Sequence, residues 1–276
     1  MKTKKILSLV VVLTLVLSFF AMGTVQAAED EFAILRTLGI NTDFSDDTTP
    51  ITRYQLAEIA LELTGIAPDA DGEPAYPDVP VKHKLFPVIN AVTKNGLMGG
   101  LMDGSFGADT YASIMDGGRV LLSELGYTSF AVQAGWTDAQ YSSKVQSLGL
   151  TSGVDSSKGL TYNAIGRMMV NMLTTKVMEI VAVTSDGIQY AESDKTYAES
   201  KYGYVIKTGI FQANGSASIA GYSAVRMNEA VLDGAIYKTN ALDYTRFVGY
   251  PVKVILTSEI DGEIIHVENT QAMKNL

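Results

Sequence analysis

The sequence predicts an α+β protein, helical over residues 28–176 and β-rich from 177 to the C-terminus. Three observations predict it. Up to about Lys176, apolar residues recur at helical spacing, as Leu56, Ile59, Ala60 and Leu63 do. Glycines that close such stretches, Gly39, Gly96 and Gly149, recur 57 and then 53 residues apart. After Lys176, β-branched and aromatic runs are split by Gly, Asn and Asp.

Residues 1–27 read as a secretory signal peptide. Lys2, Lys4 and Lys5 precede an apolar run from Ile6 to Met22, and Val25-Gln26-Ala27 offers a cleavage site before Ala28. The run is at the short end of what spans a bilayer, and the Ala-rich stretch after it favours cleavage over retention. The expectation is a secreted protein that meets no membrane once the signal is removed. Without those three lysines, 18 basic residues face 30 acidic ones, a net charge of −12. Nucleic acid is therefore not an expected partner, since binding it needs a cationic face. There is no cysteine, which excludes a disulfide scaffold, thiolate metal sites and cysteine catalysis, and fits a Gram-positive envelope.

The helical part divides into three units, about 28–75, 76–127 and 128–176. Each has a helix ending in Gly plus an apolar residue, a polar loop and a second amphipathic helix. In the first, Phe32 to Gly39-Ile40 leads through 41–49 to Pro50-Ile51-Thr52-Arg53-Tyr54-Gln55-Leu56. In the second, Ile89 to Gly96-Leu97 leads through Met102-Asp103-Gly104-Ser105-Phe106 to a helix near Asp116–Leu125. In the third, Ala139 to Gly149-Leu150 leads to Leu160-Thr161-Tyr162-Asn163, with Trp136 in the unit's core. Gly suits a helix end that needs positive φ, and Thr52 and Thr161 stand where a hydroxyl caps a helix start. A helix pair of this size cannot bury its apolar face alone, so the three units are expected to pack together.

These elements resemble the surface-layer homology (SLH) family of bacterial envelope proteins. A typical SLH repeat has an aromatic-Asp-Val opening, a helix ending in Gly-Ile, a Pro-Asp-Gly-Thr-Phe-like loop and Ile-Thr-Arg-Ala-Glu at the second helix. Tyr76-Pro77-Asp78-Val79, Gly96-Leu97, Asp103-Gly104-Ser105-Phe106 and Ile51-Thr52-Arg53-Tyr54-Gln55 look like those elements, each at its place in its own repeat. The resemblance implies an all-α bundle with three-fold pseudo-symmetry, whose grooves bind anionic, often pyruvylated, secondary cell-wall polysaccharide. It places the protein at the bacterial cell wall or surface, with surface-layer proteins as further partners. It puts Arg53 forward as the main anionic-ligand contact, with Thr52, Gln55 and Asp103 as carbohydrate-binding positions beside it. A locally paired Arg53 is the competing reading. The motif arginine is not repeated: Ile114 and Tyr162 stand at the matching places, and Gln55 replaces the family's Glu.

The C-terminal part reads as a small β-rich domain. Strands are expected at Val177–Val183, Tyr204–Phe211, Ala230–Leu232, Ala235–Lys238, Val252–Thr257 and Glu263–Val267, with a short helix near Lys195–Lys201. Asp261-Gly262 marks the clearest hairpin, expected to turn tightly in two residues. Tyr202, Tyr204, Tyr222, Tyr237, Tyr244 and Tyr250 form either a sugar-stacking face or, more in keeping with a small β core, buried rings with rim hydroxyls.

No zinc helix, nucleophile elbow, Walker loop or dinucleotide fingerprint occurs. His83 is expected to be structural, and His266 a face residue in its strand. The acid-rich loop at Asp69, Asp71, Gly72, Glu73 and Asp78 lacks the calcium-loop spacing and reads as solvated, with a weak calcium site as the alternative. The sequence thus predicts a non-enzymatic wall-attachment protein with no cofactor and no metal. The alternatives are a wall or polysaccharide hydrolase with carboxylates in the C-terminal region, and a structural subunit of a surface assembly.

Overall fold

The structure, a computed structural model, describes residues 32–270 apart from 186, 224 and 240–242. The expected signal peptide lies outside the described residues. The chain is α+β. Helices α1 (Ala33–Thr37), α2 (Arg53–Thr64), α3 (Phe86–Lys94), α4 (Ile114–Glu124), α5 (Tyr127–Gln133), α6 (Asp138–Ser147) and α7 (Tyr162–Leu173) come first. The hairpin β1 (Lys176–Thr184) and β2 (Gly187–Thr196) follows, then α8 (Tyr197–Tyr202). The chain ends in β3 (Val205–Asn214), β4 (Glu229–Leu232), β5 (Ala235–Thr239), β6 (Pro251–Leu256) and β7 (Glu263–Asn269). No helix among the described residues is long and apolar enough to cross a membrane.

Three of the helices start alike. Thr52 accepts from the N–H of Gln55, and Gln55 returns the bond to the N–H of Thr52 at 2.7 Å. Ser113 and Asp116 make the same reciprocal cap on α4, and Thr161 accepts from Ala164 N–H on α7 at 3.1 Å. The extended residues before these caps meet. Ile51 N–H donates to Leu160 O at 2.8 Å, and Ala112 N–H donates to Ile51 O at 2.9 Å. From this meeting point α2 packs on α3, α4 on α6, and α7 back on α1, so each unit's second helix leans on the next unit's first and the ring closes. Gly39, Gly96 and Gly149 all adopt the positive φ expected of helix stops.

β1 and β2 form a separate antiparallel pair with a bulge between Ile180 and Ala182. Partly buried ties hold this hairpin and α8 to the helices. Tyr127 O–H donates to Glu192 at 2.8 Å, and Tyr197 O–H donates to Glu124 at 2.7 Å. The other five strands close into a barrel in the order β3-β4-β5-β7-β6, antiparallel except for β5 beside β7. β3 closes it by pairing with β6 along its first half and β4 along its second. This is a five-stranded Greek-key barrel of OB type. Phe211, Tyr244, Phe247, Val254, Leu256 and Ile264 fill it. The helical core does not end where the strands begin. It runs through Val177, Tyr197 and Ala198 to Ile255 and Ile265, so the described residues form one compact unit.

Two local expectations are corrected. The tight two-residue turn is Asp233-Gly234, where Leu232 pairs with Ala235 and both turn residues have positive φ. Asp261-Gly262 lies instead in a wider loop closed by Thr257 N–H on Glu263 O at 3.0 Å. The short helix starts later than expected, at Tyr197, because Thr196 and Glu199 form a capping box there and residues 187–196 are a strand.

His266 sits on β7 opposite Ile255, which packs with the helical core. Burial, reinforced by the charges of Lys253 and Arg246, pushes its imidazole down from 6.5 to about 4. The unfolded chain therefore takes up this proton first. The contribution is fully present above about pH 6.5 and is lost as the pH falls toward 4. In urea unfolding at pH 7 and pH 4.5, His266→Gln should reduce the acid loss of stability by on the order of 2 kcal/mol. An unchanged acid loss would contradict this placement.

Candidate functional site

Arg53 opens α2, but its side chain does not reach the surface. It is 3% exposed. Its Nε donates to Phe106 O at 2.9 Å, one terminal nitrogen donates to Gly99 O at 2.5 Å, and the other is paired with Asp116. The guanidinium also lies 5.1 Å from the Phe106 ring centroid. The expectation of Arg53 as the main ligand contact is therefore corrected: it clasps the first unit to the second. Asp116 is held on its other oxygen by the N–H and hydroxyl of Ser113, at 2.8 and 2.6 Å.

The other expected site residues also serve the frame. Thr52 and Gln55 are spent on the α2 cap. Asp103 is exposed in its loop, where the hydroxyl and N–H of Ser105 hold its carboxyl below the usual range. Asp78, in the aromatic-Asp-Val stretch, accepts the N–H groups of Phe106 and Gly107, both at 2.9 Å. Burial works against its ionisation, but those bonds outweigh it and keep the carboxyl low. Asp78 thus fixes the loop that presents Phe106 O to Arg53. In the acid-rich loop, Lys94 Nζ sits 2.6 Å from both an Asp69 carboxylate oxygen and Asp71 O. No group of three His, Cys, Asp or Glu among the described residues is placed to hold a metal. His83 accepts the N–H of Leu85 through Nδ1 at 3.3 Å.

The tyrosines do not form one face. Tyr237 and Tyr244 are buried, Tyr202 and Tyr204 stack on each other against the helical core, and Tyr222 and Tyr250 are exposed.

A cleft of about 120 Å³ opens between the second and third units. It is lined by the turn at 96–100, by Asp116 and Arg119 of α4, by Thr128 of α5 and by Tyr141 of α6. Close helix contact builds it. A Cβ on Gly118 would lie 2.7 Å from Val145, so only glycine lets α4 approach α6 this closely. That approach puts the Arg119 guanidinium 4.5 Å from the Tyr141 ring centroid. At the turn, a Cβ on Gly100 would lie 2.4 Å from Tyr76 and 2.8 Å from Ser105 O. The N–H groups of Gly99 and Gly100 are exposed and meet no protein acceptor among the described residues.

The equivalent turns of the three units are held differently. Ten residues after the helix caps stand Glu62, Ser123 and Asn171. In the first unit the Glu62 carboxylate takes the Asn41 N–H and, at 2.5 Å, the Thr42 hydroxyl. In the third, the Asn171 amide donates to Leu150 O and Ser152 O, both at 3.0 Å. In the second, Ser123 reaches only Gly96 O, at 3.3 Å. Six residues after the caps stand Glu58, Arg119 and Arg167. The second unit thus combines an arginine at the cleft with a turn in which the N–H groups of Gly99 and Gly100 are unused. The sequence signal was the repeated pair Gly118-Arg119 and Gly166-Arg167. It appears when the units are aligned on their caps rather than on the arginine of the motif.

No family model matches the chain, and a search of curated proteins finds no relative of it.

Arg53→Met keeps much of the volume but leaves Asp116 without its counterion and two carbonyls without donors. In urea titration it should cost about 3–5 kcal/mol, while Asp103→Asn should cost less than about 1 kcal/mol. A loss below about 1 kcal/mol for Arg53→Met would contradict the clasp.

Proposed function

We propose that this is an exported, non-catalytic protein of the bacterial cell envelope, held to the wall by binding a carboxylated secondary cell-wall polysaccharide. The SLH resemblance supplies the class of ligand, and the cyclic packing of three two-helix units agrees with that resemblance. The observation that carries the reading is the cleft between the second and third units. Arg119 is oriented there by Tyr141, beside two unused N–H groups. A guanidinium can give parallel hydrogen bonds to a carboxylate, backbone N–H groups can add to them, and the tyrosine offers a ring for a sugar. Arg119 takes the role that the family motif would give Arg53. Asp116, the carboxylate of the cleft, has Arg53 on one oxygen and Ser113 on the other, which fits a binding site better than acid–base chemistry.

Co-sedimentation of the chain from Ala28 with purified walls tests this. Native walls should retain it, walls stripped of pyruvyl groups should not, and Arg119→Ala should lower affinity for native walls about 10- to 100-fold. Equal failure to bind both walls, or full retention of Arg119→Ala, would refute the reading.

A further inference from the structure

We propose that Asp138 is an internal competitor for the cleft: its carboxylate occupies Arg119 when the cleft is empty, and a ligand carboxylate displaces it. This rests on the reading of the cleft given above. The Arg119 guanidinium has the Tyr141 ring against its face and Asp138 at one terminal nitrogen. The ring fixes the plane of the guanidinium, while Asp138 occupies one of its terminal nitrogens.

Asp138 is built to leave. Its side chain is 89% exposed. It is the first residue of α6, but it does not make the cap. Thr137 and Gln140 make the cap themselves, with Thr137 N–H on Gln140 Oε1 at 2.8 Å. Asp138 also has no other bond partner among the described residues. The contrast is Asp78, the corresponding acid of the second unit, which two backbone N–H groups lock in its loop. The third unit keeps the aromatic-x-Asp sequence at 136–138, but its Asp points at the neighbouring unit's arginine.

The charges make the exchange favourable for one class of ligand. Arg53 neutralises Asp116 and Arg119 neutralises Asp138, so the closed cleft carries no net charge. Swinging Asp138 into water leaves one positive charge facing the unused N–H groups of Gly99 and Gly100. A sugar carboxylate replaces what Asp138 gave and adds those bonds. A neutral sugar replaces nothing, so the internal acid acts as a filter for anionic residues.

The test is a titration of the chain from Ala28 with glucuronate and with glucose, followed by NMR at the Gly99 and Gly100 amides and, where the arginine is present, at the Arg119 Nε–H. Asp138→Asn should tighten glucuronate binding about two- to fivefold, the factor an exposed ion pair is worth, and leave glucose unchanged. Glucuronate binding that is equal or weaker in Asp138→Asn overturns the competitor role. In that case, loss of binding in Arg119→Ala leaves the cleft reading standing alone. Binding unaffected by Arg119→Ala, or undetectable in both proteins, overturns the inference; the former also removes the cleft reading.

Discussion

The backbone of Ile51 is the constraint on which the helical part depends. Its N–H is bonded to the third unit at Leu160 and its C=O to the second at Ala112, while its side chain is buried. One residue thus joins three segments far apart in the chain. The three capped helices start from this junction. Each then covers the first helix of the next unit. None of these two-helix units has enough apolar surface to be stable alone, and closing the ring provides the missing cover. The C-terminal strands extend that cover, because Ile255 and Ile265 belong to the same core as the helices.

A three-fold frame produces equivalent positions, and the sequence fills them with different chemistry. The first helical residue is Arg53, Ile114 or Tyr162. The Arg53 version uses its charge to clasp two units together. The position five residues on is Glu58, Arg119 or Arg167, and the turn that faces the second helix is closed by Glu62 in the first unit and braced by Asn171 in the third. In the second turn the N–H groups of Gly99 and Gly100 are left for another molecule among the described residues, and Arg119 and Tyr141 line the same cleft. The repeated positions thus carry different side chains, and in the second unit they place an arginine in a cleft beside a glycine turn. The barrel adds a rigid body to this frame, but its strand order assigns it no ligand, since function resides in sites rather than folds.

Much of this was legible in the sequence where the signal is local. Gly39, Gly96 and Gly149 stop helices, Thr52 and Thr161 cap them, and the strands from Tyr204 to Val267 lie close to their expected places. What was missed is non-local. The partner of Arg53 is 63 residues away, and no pattern around Arg53 reveals that Asp116 neutralises it. Strand β2 is polar, with Gln189, Glu192, Ser193, Asp194 and Lys195, so it has no apolar alternation to detect; it is held by β1 and by Tyr127 on Glu192. The barrel closes through β3–β6 and the parallel β5–β7 pair, both of which join distant segments. Asp233-Gly234 and Asp261-Gly262 look alike as dipeptides, and only the strand register distinguishes the tight turn from the wide loop.

The central claim is that the cleft between the second and third units is where this protein holds its ligand. Amide and guanidinium chemical-shift mapping with a pyruvylated wall-polysaccharide fragment tests it most directly. The account predicts that the largest changes fall on the N–H groups of Gly99 and Gly100 and on the Arg119 side chain, with the buried Arg53 guanidinium unmoved. Largest changes on the barrel, or on the exposed loop around Met102 and Tyr111, with the cleft silent, would contradict it.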